Sequence, residues 1–247
     1  MRFLRRHWPV WLPEHLIAPL VILGVAGVLV SLPVLFGWPF KLALRRAMLW
    51  NLFLSAVPLL LSVFILWAEH RRIKVIFRLP AWLLWLFFFP NGPYMITDIL
   101  HVQYLNVDFM ESSPAVWFGV LHLCAGVAAG TCLGLLSLRL LHRHMAGRYG
   151  KPWGWVFVGG ACLLGGIAIW IGRCMRFNSW DIWGDPHFLL RSVLAELNRN
   201  TVTLCLLFAV MCFGAYLLLW GFVGTTTPQR RGGCAEHRLR ADYNSRR

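Results

Sequence analysis

The chain has 247 residues, of which 58% are hydrophobic and 14% charged, with a mean hydropathy of +0.61 and a formal charge of +14. A soluble domain carries about a quarter charged residues, so this composition excludes an ordinary water-soluble globule. The positive charge does not indicate nucleic acid. Its lysines and arginines stand in short clusters between long apolar runs, the arrangement that orients membrane spans.

A membrane-crossing helix needs about 20 mostly apolar residues. Six stretches meet or approach that length: 17–36, 47–67, 79–97, 114–138, 153–172 and 201–223. The first follows Arg2, Arg5 and Arg6 like a secretory leader. At about 20 residues it is longer than a cleavable apolar core, and it reads as a span. Connections are short, so residues 1–224 form one domain, an all-α integral membrane bundle of about six transmembrane helices. Residues 225–247 form a basic tail with little apolar content, expected to be disordered and cytoplasmic.

Within the third span, nine apolar residues from Ala81 to Phe89 meet Pro90-Asn91-Gly92-Pro93. Two prolines remove two backbone donors, and Asn-Gly favours a turn. The span is therefore expected to be broken or kinked there. A break would let Pro93 start a second half-helix. In the fourth span Gly126, Gly130 and Gly134 recur every four residues, a spacing that permits close helix approach within the chain or in a homo-oligomer. After the fifth span, Asp185-Pro186 reads as a helix cap, and 186–198 alternates apolar and polar residues at helical spacing. An amphipathic helix in the membrane interface is expected.

Orientation follows from charge. With both termini cytoplasmic, 17 of the 24 lysines and arginines fall inside and 7 outside, whereas six of the ten acidic residues fall outside. Cys174 then faces out and Cys234 in. Of the seven cysteines, five lie inside apolar runs, and no CxxC or Cys/His metal spacing occurs, which speaks against a disulfide framework.

Two polar constellations share the outer side. One holds Asn91, Tyr94, Asp98 and His101. Asp98 and His101 are three residues apart and share a helix face. The other holds Arg173, Arg176, Asn178 and Asp181. Charges near membrane depth pair with one another or line a pathway. A purely structural reading has Arg173 or Arg176 neutralising Asp98 or Asp181. A functional reading makes the cluster an outward-facing pocket. Asp98, His101 and Asp181 are then candidate catalytic or metal-ligating groups. Asn91, Tyr94, Arg173, Arg176 and Asn178 are candidate ligand contacts, the guanidinium forks matching phosphate or carboxylate. Three functions stay open: binding or transport of an anionic or lipid-linked molecule, metal-assisted hydrolysis or transfer, and a structural or accessory role beside another membrane protein. No nucleotide-binding loop is visible, and the sequence names no cofactor.

The run Phe89-Pro90-Asn91-Gly92-Pro93-Tyr94, followed by Thr97-Asp98 and His101, resembles the signature of a bacterial family of membrane proteins of unknown function (domain of unknown function 1361). The segment Gly172-Arg173 through Arg176, with Asn178-Ser179-Trp180-Asp181, looks like that family's second marked stretch. There the family tends to carry an aromatic residue where this chain has Cys174, which argues against a role for that thiol. The resemblance covers about residues 47–223. It implies a protein of the bacterial cytoplasmic membrane and adds no activity.

Overall fold

The computed structural model describes residues 42–105, 114–177 and 184–225. All regular elements among them are helical. They are α1 (Leu42–His70), α2 (Val75–Phe88), α3 (Asn91–Thr97), a 3-10 segment (Asp98–Leu105), α4 (Pro114–Tyr149), α5 (Lys151–Arg173), α6 (Pro186–Ala195) and α7 (Arg199–Thr225). Five stretches are long and apolar enough to cross a membrane: Ala47–His70, Val75–Gln103, Gly119–Tyr149, Lys151–Arg173 and Arg199–Phe222. They match the second to sixth expected spans. The first expected span, 17–36, and the basic tail beyond Thr225 lie outside the described residues.

α1 packs along α4 and α2, α4 along α5, and α5 along α7. Lipid tails are as apolar as leucine, so such a bundle is held by close packing and interhelical polar contacts. Trp85 lies at its centre, 1% exposed. Its ring stacks on Phe89 at 5.0 Å and on Phe157 at 5.5 Å, and its indole N–H donates to the Ser137 hydroxyl at 3.3 Å. A buried indole that finds an acceptor carries no unpaired polar atom.

Close approach falls where the glycines are. A methyl group built on Gly134 would stand 2.6 Å from the Cα of Gly92, so α3 and α4 touch backbone to backbone. Gly130 meets Met95, and Gly126 meets Met48. α5 meets α7 in the same way at Gly166, against the Cys205 carbonyl and Ala209.

At Pro90 the helical ladder changes register without leaving the helical basin. Phe89 (φ −52°, ψ −42°) and Pro90 (φ −59°, ψ −23°) both keep right-handed helical angles. The Gly92 N–H donates to the Phe89 carbonyl and the Tyr94 N–H to the Pro90 carbonyl. α3 therefore continues the run of α2 with little lateral excursion.

The basic stretch 139–151, between the fourth and fifth expected spans, is mostly helix. α4 runs 36 residues to Tyr149, about 54 Å at 1.5 Å per residue. Leu140 and Leu141 are buried there and carry the apolar stripe past the expected end of the span. α6 has no buried residue. Asp185 caps it by accepting from the Phe188 N–H at 2.9 Å, and Phe188, Leu190 and Leu194 are exposed.

Candidate functional site

The site is built where α1, α3 and α5 come to the same end of the bundle. Asp98, the residue after α3, is 1% exposed. Its Oδ1 accepts from Arg173 Nη2 at 3.0 Å, and its Oδ2 accepts from the Asn51 amide at 2.7 Å. Arg173, the last residue of α5, also donates through Nε to the Thr97 hydroxyl at 3.0 Å. Its guanidinium lies over the Tyr94 ring, 5.0 Å from the centroid. One carboxylate thus ties three helices together, and both of its oxygens are used.

His101 stands one turn beyond Asp98. Its Nδ1 is 2.9 Å from the Asp98 carbonyl oxygen and 3.5 Å from Oδ1. The nearer contact requires a proton on Nδ1. Below the clamp, the Ser55 hydroxyl lies within hydrogen-bond distance of the Asn51 and Asn91 carbonyls, joining α1 to the start of α3. The Asn91 amide donates back to the Phe88 carbonyl at 2.9 Å.

Beside the clamp is a cleft of about 350 Å³. Trp50, Asn51 and Leu54 of α1 form one wall. Leu83, Leu86, Phe87, Asn91 and Tyr94 form a second, and Leu164, Ile169 and Gly172 of α5 a third. Phe177, beyond the end of α5, and Leu189 of α6 close one side. The volume is at the lower end of small-molecule sites, and the lining has their usual character, mostly apolar with a few polar groups. Here those groups are two amides and a phenol.

The expected site residues fall into three groups. Asn91, Tyr94, Asp98, His101 and Arg173 come together as anticipated. Arg176 is exposed just beyond α5, in a left-handed backbone conformation with φ 60°, and makes no hydrogen bond or ion pair among the described residues. Asn178 and Asp181 lie outside the described residues. Among the described residues, no group of three or more His, Cys, Asp and Glu side chains could hold a metal ion.

Sequence reasoning missed Asn51, which takes half of the Asp98 carboxylate. The signal was present, since an amide is out of place in the apolar run 47–67. His142 lies beyond the expected end of the fourth span, yet its ring is 6% exposed within α4 and shares a 2.6 Å hydrogen bond with the Tyr216 hydroxyl of α7.

A family model described as "Protein of unknown function (DUF1361)" matches residues 50–214. That span includes every residue of the clamp and every residue named in the cleft. No curated protein and no solved structure matches the chain.

Proposed function

The chain belongs to the DUF1361 family, and we propose that it is a multi-pass membrane protein that binds or transports an anionic or lipid-linked amphiphile in the cleft beside Asp98. The observation that carries this reading is the cleft itself. It is apolar over most of its lining, ends in Asn51, Asn91 and Tyr94, and adjoins an arginine-bearing helix end. Such a surface suits a molecule with a hydrocarbon part and a polar head.

In this reading six spans cross a bacterial cytoplasmic membrane with both termini inside, and the cleft faces out. The register change at Pro90 sets Asn91 and Tyr94 on the cleft wall. α6, with its exposed Phe188, Leu190 and Leu194, lies in the outer interface as a rim. Arg173 is neutralised by Asp98, which leaves Arg176 as the handle for the anionic group, with Asn178 and Asp181 nearby in sequence. Asp98 acts as a strut. With its Oδ1 on Arg173, its Oδ2 on Asn51 and only 1% of its surface exposed, the carboxylate is engaged and shielded from a reacting molecule, so the hydrolase or transferase reading ranks lower. The same engagement favours one second reading, a structural or accessory subunit whose polar cluster only joins helices.

Thermal unfolding of the purified protein across a panel of neutral and anionic lipids separates the two. Binding predicts that an anionic lipid raises the midpoint of the wild type, and that Arg176→Ala and Tyr94→Phe each reduce the rise while remaining folded. Equal midpoints across the panel for all three proteins would leave the structural reading.

A further inference from the structure

A second polar cluster lies toward the other end of the bundle. The clamp joins the start of α1 to the end of α5. At the opposite end Glu69 of α1 pairs with Arg78 of α2 and Arg148 of α4. About two and a half turns before Arg148, on the same helix α4, sits Arg139, 6% exposed. Its Nε and Nη1 are sealed from solvent and have no hydrogen-bond partner among the described residues. Nothing in the clamp or the cleft uses it.

A buried guanidinium without a carboxylate is costly, by several kcal/mol per ion. Glu69 is the one acidic residue of α1, α2, α4, α5 and α7, and Asp98 follows α3. Both are already engaged by arginines. The groups within electrostatic reach of Arg139 are instead the Tyr216 hydroxyl and the cation of Arg143. Tyr216 is fully buried and bonded to His142, whose ring packs on Trp155 at 4.7 Å. Arg143 stands one turn further along the same helix face and is exposed.

We propose that Arg139, with the Tyr216 hydroxyl, forms an oxyanion site that takes a phosphate group entering past Arg143. The guanidinium offers a planar set of donors suited to phosphate oxygens. The tyrosine hydroxyl adds a neutral donor when it turns from His142. A phosphate can come from the headgroup of an anionic phospholipid or from free inorganic phosphate, and the chemistry at Arg139 is the same. The site is separate from the outward cleft and does not depend on it.

The test uses the full chain, purified in detergent with inorganic phosphate titrated in, and in nanodiscs of phosphatidylcholine with or without phosphatidylglycerol. Thermal unfolding is read for the wild type, Arg139→Gln, and Lys74→Gln as an exposed-charge control. The expected result is a rise in midpoint with one of the two phosphate sources, lost in Arg139→Gln and kept in Lys74→Gln. A rise with inorganic phosphate in detergent assigns a free anion. A rise confined to phosphatidylglycerol assigns a headgroup. Equal rises in wild type and Arg139→Gln, or no rise with either source, would overturn the site. If Arg139→Gln does not fold, Arg139→Lys decides. Loss of the fork should weaken the phosphate response about tenfold, the worth of one charge-assisted hydrogen bond, and an unchanged response would overturn the proposal.

Discussion

At the scale of single residues, the arrangement turns on Asp98. Removing its charge leaves Arg173 facing a neutral group, and breaking a buried pair from one side costs about 3–5 kcal/mol. Arg173 is about one-fifth exposed, so the lower end applies here. Asp98→Asn is expected to lower stability by about 3 kcal/mol. Arg173→Gln should do the same, and the double variant should lose less than the sum, the signature of direct coupling. A double-mutant cycle read by thermal unfolding checks this, and strict additivity would show that the two do not act as a pair. Much of this pairing was legible in the sequence, because charges at membrane depth seek partners and Arg173 was one of few candidates. Asn51 was not singled out, because its partner lies 47 residues away and only the packing of α1 on α3 brings them together.

At the scale of elements, contact is set by small residues. The repeat of Gly126, Gly130 and Gly134 announced a close approach, but the facing residues Met48, Met95 and Gly92 could not be read from spacing alone. They depend on which helices neighbour α4. Gly134→Ala forces a methyl against the Gly92 backbone, which has no rotamer to relieve the clash, and overpacking of this kind costs about 1–3 kcal/mol. Gly130→Ala meets the flexible end of Met95 and should cost less. Gly160→Ala in α5 meets nothing within 4 Å and should be neutral or stabilising by up to about 1 kcal/mol, the helix preference of alanine over glycine. Unfolding of the three variants side by side tests the order, and a neutral Gly134→Ala would contradict the contact. The end of α4 was misread for a physical reason. Arginines and histidines mark span boundaries in charge counting, but they are also good or tolerable helix residues, and leucines on one face carried the helix onward.

At the scale of the whole molecule, charge is divided between the two ends of the bundle. One end gathers Glu69, Arg78, Arg148 and neighbouring basic residues, and the other holds the Asp98 clamp and the cleft. Five of six expected spans and the order of elements follow from apolar run length and punctuation, which is why they were legible. The cleft was not, since a volume between α1, α2, α5 and α6 exists only once the helices are placed. Cys174 is exposed at the cleft end. An impermeant maleimide applied to intact spheroplasts should therefore label Cys174 and spare Cys234. The reverse pattern would invert the proposed orientation and turn the cleft to the cytoplasm.

Occupancy of the cleft by a ligand is measured by native mass spectrometry of the protein in lipid nanodiscs, comparing the wild type with Ala168→Phe. Ala168 lines the cleft and takes no part in the clamp's hydrogen bonds, so a larger ring there is expected to fill the space without removing a partner of Asp98. An amphiphile adduct is expected on the wild type and lost from the folded variant. The same adduct on both proteins, or none on either, would contradict it.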